Sequence, residues 1–406
     1  MAIGQYDGTA FAEISKEGKL VYLGRLPQYD AIGSNWREIR IVNDYAIIGS
    51  EAIKHGVQAF DMHKILTLDP KNPTTFTQDD LTGHWGLPGT ASNGFWDELP
   101  VGRTHNIVIN QELNYAVAVG SVGGNETIRV RGELPCRGGL IWLNITDPAN
   151  PNSPGCAAAD GYVHDAECLV YRGPDKKYWG RDICYASNED TLTIYDATDK
   201  TGNTTNIIAR FGYPGAQYTH QSAVNNPHWQ EFLFLDDEFD ERDATVGPMT
   251  QGLPTTHIID VRNLENPVYS GNFHGRTRSI DHNQYINTYD GLLYQSNYGN
   301  GINIWDVSSV PKNPTGSDVC EVGFFDIYPE DDDNEGGGTV AFLGSWSSVA
   351  NFKSGYVFVH TIERGSFIVR PTSKKCPKRP VPTVPVPELP RTTSRPAPPT
   401  VLPPKI

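Results

Sequence analysis

The sequence predicts an all-β protein, a β-propeller of about seven four-stranded blades. A short phrase recurs six times in the 406 residues, and each copy begins with Trp or His. The six first residues are Trp36, His105, His164, His220, His282 and Trp346, and subtraction gives spacings of 69, 59, 56, 62 and 64 residues. Repeats of this length built from short strands are typical of a closed radial array. The same repeat predicts that these six residues share one position around the axis.

Each copy of the phrase is followed by further short apolar runs. After Trp36, for example, come YAIIGSE from Tyr45 and GVQAFDM from Gly56. The runs are rich in β-branched and aromatic residues and end at Gly, Asn, Asp or Pro, which is typical of strands. A fourth run often closes the unit, as PVYSGNF does before His282. Four antiparallel strands per unit describe a propeller blade, and the lack of a sustained helical period predicts little helix.

The first and last units are incomplete. The N-terminal unit supplies the end of a second strand, a third and a fourth, but no inner strand, and the last unit ends at its third strand near Arg370. Counting the N-terminal unit gives seven blades, which we favour, and leaving it out gives six. Because an unpaired strand edge promotes aggregation, we expect that a stretch before Met1 is missing from this sequence. That stretch would include part of the first blade and a signal peptide.

The chain divides into a propeller, residues 1–370, and a Pro-rich tail, residues 371–406. Blades cannot bury their faces alone, so the propeller is one domain. The tail lacks an apolar period and is dense in proline, which predicts a disordered, extended spacer. It carries seven basic residues and one acidic residue, so the net charge of −15 leaves the propeller near −21. This acidity argues against binding nucleic acid, which needs a basic surface.

Several features favour an extracellular protein. The six cysteines show no C-x-x-C spacing, which favours disulfides over zinc, in the pairs Cys136–Cys156, Cys168–Cys184 and Cys320–Cys376. Glycosylation sequons begin at Asn125, Asn144 and Asn203. The apolar runs are too short to span a membrane, so no transmembrane segment is predicted. We therefore expect a secreted or surface-associated glycoprotein whose partner is an extracellular protein or glycan.

The repeated histidines form the candidate site. If the phrases begin the innermost strands, His105, His164, His220 and His282 lie together at one rim of the central channel, and Trp36 and Trp346 complete the ring. Imidazoles are common transition-metal ligands, and nearby carboxylates can orient them or bind Ca²⁺. The metal hypothesis combines the four histidines with Asp165, Glu189, Asp237 and Asp281. The alternative is a structural hydrogen-bonding network, because a position that accepts both Trp and His fits packing with a polar tip.

Several of these segments resemble a known family. The stretch from Cys136 to Asp190, together with SNWREIRIV, RTHNIVIN, YTHQSAV and IERGSFIVRP, resembles the choice-of-anchor B proteins. That family carries LVIVD-type propeller repeats, to which TLTIYD and GINIWD are the nearest approximations here. The resemblance covers nearly the whole propeller and excludes the tail. It implies a secreted or surface-anchored propeller and no particular reaction.

Two functions stay open after the sequence is considered. The chain contains no H-E-x-x-H, G-x-S-x-G or P-loop motif, and no catalytic residue stands out. The first function, which we favour, is an extracellular binding or structural module with the tail as a spacer or anchor. The second is a metal-dependent extracellular enzyme, hydrolase-like, that uses the channel histidines and carboxylates. In both, a divalent cation in the channel, either Ca²⁺ or a transition metal, is an open question.

Overall fold

The computed structural model describes residues 1–28, 32–53, 55–86, 102–123, 136, 138–203, 206–373 and 375–376. Within these residues the chain forms seven mainly antiparallel sheets, which follow one another as the blades of a propeller, and one further two-stranded sheet. Helix is scarce, as expected: the described residues include one α-helical turn, α1 (Asp240–Asp243), and a few 3₁₀ turns. The prediction of a seven-bladed β-propeller is confirmed.

The first three blades contain fourteen strands. In chain order they are β1 (Ala2–Gln5), β2 (Gly8–Ile14) and β3 (Leu20–Pro27) in blade 1; β4 (Arg37–Val42), β5 (Tyr45–Ser50), β6 (Val57–Asp61), β7 (Thr74–Thr75) and β8 (Gly83–Trp85) in blade 2; and β9 (Gly102–Arg103), β10 (Asn106–Asn110), β11 (Tyr115–Val119), β12 (Val122–Gly123), β13 (Leu140–Asn144) and β14 (Gly155–Ala157) in blade 3. The short β7 pairs in parallel with β3, and β9 pairs with β12.

The remaining four blades contain sixteen strands. They are β15 (Asp165–Val170), β16 (Asp182–Ser187), β17 (Leu192–Asp196), β18 (Gly202–Asn203) and β19 (Ile207–Phe211) in blade 4; β20 (Thr219–Val224), β21 (Phe232–Asp237), β22 (Thr255–Asp260) and β23 (Val268–His274) in blade 5; β24 (Gln284–Ile286), β25 (Leu293–Ser296), β26 (Ile302–Asp306) and β27 (Cys320–Phe325) in blade 6; and β28 (Ser345–Val349), β29 (Val357–Thr361) and β30 (Ser366–Val369) in blade 7. The short β18 pairs in parallel with β14 of the preceding blade.

The core lies between the faces of neighbouring blades. The second and third strands are buried along most of their length because both of their faces pack against another blade. Ile183 and Leu192 of blade 4, for example, share one apolar cluster with Leu233 and Ile259 of blade 5. Runs of β-branched and aromatic residues, rather than strict alternation, are what such doubly covered strands require. This packing holds the inner strands side by side around the channel.

The ring closes between blade 7, which has three strands in the described residues, and blade 1, whose strands β1 to β3 are extended at the outer edge by the short β7. A cavity of about 160 Å³ lies between β1, β4 and β28, where the inner strand of blade 1 would run. Two hydrogen bonds cross this region: His360 Nε2 lies 3.0 Å from the Gly4 carbonyl oxygen, and Arg37 Nε donates to the Gln5 carbonyl at 2.9 Å. The prediction that the first unit lacks an inner strand and the last lacks a fourth is confirmed for the described chain.

The three predicted disulfides are confirmed. Cys136–Cys156, Cys168–Cys184 and Cys320–Cys376 are bonded, and Cys168 and Cys184 lie directly opposite each other on β15 and β16. Of the glycosylation predictions, Asn125 lies outside the described residues, as does the tail from residue 377 onward. Asn144 ends β13 and Asn203 ends β18. Within the described residues, every helix is too short or too polar to traverse a bilayer.

Candidate functional site at the channel mouth

The six repeated residues stand at the beginnings of the inner strands, on the face of the propeller that we call the channel mouth. The four imidazoles form a continuous stack: the ring centroids of His105 and His164, and of His164 and His220, lie 4.2 Å apart, and those of His220 and His282 lie 4.3 Å apart. The Trp346 ring contacts His282 edge-on, with ring centroids 4.8 Å apart. The rings surround a small cavity of about 20 Å³, which is room for one water molecule or ion.

A backbone irregularity positions two of these side chains. The pairing of β20 with β21 shifts register between Thr219 and Gln221, and the pairing of β28 with β29 shifts in the same way between Ser345 and Ser347. The residue passed over in each case is the repeated one, His220 or Trp346. A β-bulge of this kind leaves one residue unpaired and re-aims its side chain. The bulge therefore turns the repeated residue toward the channel.

Each imidazole Nδ1 has a hydrogen-bonding partner. His164 Nδ1 and His282 Nδ1 donate to the carbonyl oxygens of the repeated residue in the following blade, at 2.9 Å to His220 and 2.6 Å to Trp346. His220 Nδ1 lies 3.1 Å from Asp236 Oδ1, and His105 Nδ1 pairs with a Glu51 carboxylate oxygen. In His164 and His282 this bonding places the proton on Nδ1, so Nε2 of the neutral ring carries a lone pair.

Burial favours the neutral form of His164, His220 and His282. It lowers the pKa of His164 and His282 well below the usual histidine range, and neighbouring imidazoles lower each pKa further. Burial also lowers the pKa of His220, although the Glu238 carboxylate opposes the shift. Neutral imidazole is the form that binds metal ions. The stack therefore presents metal-competent nitrogen atoms without first having to lose protons at neutral pH.

Aromatic residues form the wall above the stack. Tyr218 contacts His164 and Tyr298 contacts His282, at centroid distances of 5.4 and 4.8 Å, and Phe342 packs on Tyr298 at 5.6 Å. The Tyr298 hydroxyl donates to Glu238. Tyr298 has a φ of 38°, which is unusual for a residue with a side chain and is found where surrounding contacts hold the backbone in place.

One set of side chains at the mouth offers three ligand atoms close together, a set that could hold a metal ion. His164, His220 and Glu238 each offer a ligand atom, and these atoms lie within 4.8 Å of one another. Sequence reasoning selected Asp237 rather than Glu238. The available signal was position, because Glu238 directly follows β21 as Glu51 directly follows β5. Both carboxylates contact a stacked histidine: Glu51 pairs with His105, and Glu238 Oε1 lies 3.5 Å from His282 Nε2.

The other predicted ligands lie elsewhere. Asp165 is the first residue of β15, and its carboxylate accepts hydrogen bonds from Gln221 Nε2 and the Ala166 amide, both at 2.7 Å. Asp237 accepts from the Tyr213 hydroxyl at 2.6 Å and from two backbone amides. Asp281 belongs to a separate carboxylate cluster.

Three predicted residues flank the His164–His220–Glu238 set. His105 and His282 are the outer members of the imidazole stack. Glu189 lies near Tyr218 at the mouth, and its pKa is raised, chiefly by burial and then by the neighbouring Asp190. The structure thus brings the four histidines and Glu189 together at the mouth, while the carboxylates of the three aspartates are outside the His164–His220–Glu238 set.

Comparison with known proteins supports the fold and no more. No family model and no curated protein matches the chain. Among solved structures, the β-propeller domain of Myceliophteria thermophila Cps50 (Swd1) is similar at 11% identity, covering 97% of this chain and 89% of that chain with a TM-score of 0.48. A chain of a mitotic checkpoint complex is similar at 10% identity, covering 91% and 85%, with a TM-score of 0.50. At 10% identity the second likeness concerns the overall fold alone, and the first is too distant to support an argument.

Proposed function

We propose that this protein is an extracellular β-propeller that acts as a binding module and holds a divalent transition-metal ion at its channel mouth. The observation that carries this proposal is the cluster of His164, His220 and Glu238, whose ligand atoms lie within 4.8 Å of one another. Two imidazoles and a carboxylate suit ions such as Zn²⁺, Co²⁺ and Ni²⁺. The resemblance to choice-of-anchor B proteins and the three disulfides support the extracellular setting.

The surroundings of the cluster match those of known metal sites. Metal-binding histidines usually donate their second ring N–H to a carbonyl or carboxylate, which fixes the orientation of the ring. His164 does so through the His220 carbonyl, and His220 Nδ1 lies beside Asp236. Ligand atoms of a tetrahedral Zn²⁺ site lie about 3.3–3.5 Å apart, so binding would draw the three ligand atoms closer together.

The proposal is tested by metal binding to the purified full chain. We expect wild-type protein to bind one Zn²⁺ per chain in calorimetric titration, and His220→Gln and Glu238→Gln to lose at least tenfold in affinity. His228→Gln, at an exposed histidine outside the channel, is the matched control and should bind as wild type does. Far-ultraviolet circular dichroism checks that each variant is folded. Absence of stoichiometric binding, or full affinity in Glu238→Gln, would contradict the proposal.

An exposed tryptophan pair supports the binding-module part of the proposal. Trp179 and Trp229 are 49% and 39% exposed, and their rings lie 6.2 Å apart in the turns between first and second strands of blades 4 and 5. The Lys176 ammonium lies 4.6 Å from the Trp179 ring. Tryptophan is enriched among the residues that dominate protein–protein binding energy. This surface, opposite the channel mouth, is where we place a protein partner.

The partner surface is tested by affinity capture with matched variants. Immobilised wild-type protein should retain at least one protein from the extracellular medium of its native source. The double variant Trp179→Ala/Trp229→Ala should not retain that protein, whereas Glu238→Gln should. Identical capture by the double variant would exclude this surface as the partner site.

A second candidate function is metal-dependent hydrolysis. Three protein ligands leave a coordination position for water, as in catalytic rather than structural zinc sites. The aromatic wall around His164 and His282 would exclude bulk solvent from such a position. This function requires Zn²⁺-dependent cleavage of simple ester or phosphoester substrates that is lost in Glu238→Gln. Zn²⁺ binding without any such activity would leave the binding module alone.

The extracellular assignment has its own test. If the protein is secreted, the six cysteines of protein purified from its native source should resist thiol labelling unless a reductant is added. All six are paired in disulfides. Several labelled cysteines without reductant would contradict the assignment. Loss of mass on enzymatic removal of N-linked glycans would test the sequons at Asn125, Asn144 and Asn203.

A further inference from the structure

A second cluster of ionisable side chains lies between blade 5 and blade 6. Asp240 and Glu241 come from α1, which follows the second strand of blade 5, and Asp281 directly precedes His282 at the entry to blade 6. The three residues are 0%, 6% and 0% exposed. One oxygen from each lies within 4.8 Å of the other two. This carboxylate cluster shares no residue with the channel-mouth site.

The cluster has fewer partners than its charge requires. Glu241 accepts hydrogen bonds from the Thr255 amide at 2.8 Å and the Asp281 amide at 3.3 Å. Asp240 Oδ2 lies 2.9 Å from His257 Nε2. Across the described part of the chain, however, both side-chain oxygens of Asp281 and the Oδ1 atom of Asp240 have no hydrogen-bonding partner, although each is fully buried. Three oxygen atoms are therefore directed into the protein interior without a donor.

The cluster has a single ion-pairing neighbour among the described residues. His257 Nε2 lies 2.9 Å from Asp240 Oδ2, and no ion pair within the described part of the chain reaches Glu241 or Asp281. Buried carboxylates without a counter-charge are strongly unfavourable, and proteins keep them by protonating them or by binding a metal ion.

We propose that Asp240, Glu241 and Asp281 bind a Ca²⁺ ion that joins blade 5 to blade 6. The oxygen-only ligand set favours a hard cation over the transition metals that suit the channel mouth. Ca²⁺ binds oxygens at 2.3–2.6 Å in flexible geometry, so its ligands lie up to about 5.2 Å apart, which accommodates this cluster. Mg²⁺ needs shorter bonds and usually retains several waters, which a buried site does not favour.

The position of the cluster gives the ion a structural role. Residues 238–254, between β21 and β22, form the longest connection of second and third strands in blades 4 to 7. Ca²⁺ would tie this connection to the backbone that leads into His282. The Glu241 bond to the Asp281 amide already links the two segments. Binding there would therefore stabilise blade 6 and fix the last imidazole of the stack.

The test uses the purified full chain, stripped with EGTA and returned to buffer containing Ca²⁺ or Mg²⁺. We expect one Ca²⁺ per chain by elemental analysis and a rise in melting temperature of about 5 °C in saturating Ca²⁺, with a smaller effect of Mg²⁺. Asp281→Asn should lose both the bound ion and the rise in melting temperature. Asp333→Asn, at an exposed carboxylate, is the control and should keep both.

The outcomes separate a cation site from a protonated cluster. If Asp281→Asn does not fold, Asp240→Asn takes its place in the same measurement. Wild-type protein that contains no Ca²⁺ and melts at the same temperature in EGTA and Ca²⁺ would overturn the proposal. A variant that keeps the full Ca²⁺ response would overturn it as well. Zn²⁺ binding at the channel mouth is measured independently through Glu238→Gln, so either site can fail without the other.

Discussion

The inner ring of this propeller has two unlike sides. In blades 3 to 6 the repeated position holds histidine, and the four imidazoles stack at 4.2–4.3 Å and bond through every Nδ1. In blades 2 and 7 it holds Trp36 and Trp346, which stand on either side of the missing inner strand. There the chain leaves a cavity of about 160 Å³, and Trp36 is 42% exposed.

The difference shows that a repeat fixes the place of a residue but its neighbours decide the chemistry of that place. Between two complete blades the position is narrow, and a small flat ring that also donates a hydrogen bond fits it. Beside the gap the position is wide, and the larger indole fills it. Trp346 still receives a hydrogen bond from His282, but through its backbone carbonyl. The link between blades therefore depends on the backbone, and the side chain is free to vary.

The largest expected effect comes from removing the middle of the imidazole stack. His220→Ala deletes the ring between His164 and His282 and leaves the buried Asp236 without its imidazole partner. Asp236 Oδ1 keeps the Gln221 amide as a donor, so the cavity left by the ring and the loss of one hydrogen bond should together lower the free energy of unfolding by about 3 kcal/mol. Urea denaturation in the presence of EDTA measures it without any contribution from metal. A loss below about 1 kcal/mol would show that the stack does not stabilise the ring.

Acid should weaken both sides of the ring through buried neutral histidines. At the closure, burial lowers the pKa of His360, which bonds the Gly4 carbonyl. Because its folded-state pKa is below the unfolded value of about 6.5, its contribution is complete above pH 6.5 and is lost as pH falls toward the folded pKa. A difference of one between the folded-state and unfolded-state pKa corresponds to about 1.4 kcal/mol of stability. His360→Gln, which can still donate to Gly4, should therefore lose less stability than wild type between pH 7.5 and pH 5.5.

Comparing the change in stability between pH 7.5 and pH 5.5 in wild type and in His360→Gln isolates the contribution of His360. Buried carboxylates such as Asp236 have raised pKa values and change stability in the opposite sense, but they are common to both proteins. Urea denaturation at pH 7.5 and pH 5.5 gives the change in the free energy of unfolding for each of the two proteins. Equal slopes for wild type and His360→Gln would show that His360 titrates normally in the folded protein.

The sequence predicted the blades and the shared position of the six residues because both depend on short-range pattern. Strand runs, turns and a regular spacing are visible without any three-dimensional information. The choice between Asp237 and Glu238 was not predictable in the same way, because side chains alternate along a strand and a shift of one residue reverses their direction. The bulge at His220 is such a shift, and nothing in the phrase THQSAV marks it.

The sequence repeat did not predict the carboxylate cluster, for a different reason. Adjacency in sequence groups Asp281 with His282, but the structure turns Asp281 toward Asp240 and Glu241. Those two residues lie in the connection between β21 and β22, where no repeat indicates a neighbour. Contacts between such a connection and the next blade follow from tertiary packing alone.

A matched pair of serines compares packing on the two sides. Ser222 and Ser348 lie two residues after His220 and Trp346, and both hydroxyls are buried without a hydrogen-bonding partner in the described structure. Ser348 lines the closure cavity. Ser348→Val should therefore raise the free energy of unfolding by up to about 0.8 kcal/mol, whereas Ser222→Val should lower it by about 1 kcal/mol through overpacking. Chemical denaturation of both variants checks this, and equal signs would mean that the closure is packed as tightly as the complete blades.

The smallest effect is expected at Trp36, on the closure side. Its carbonyl accepts hydrogen bonds from the Glu51 amide at 3.1 Å and the Ser50 hydroxyl at 3.0 Å, and Trp36→Ala leaves both intact. Because the indole is 42% exposed, its loss should lower the free energy of unfolding by less than about 1 kcal/mol, far less than His220→Ala. Urea denaturation of the two variants side by side decides this. An equal loss in the free energy of unfolding for the two variants would mean that Trp36 stabilises the inner ring as much as His220 does. The two sides of the ring would then not differ in stability.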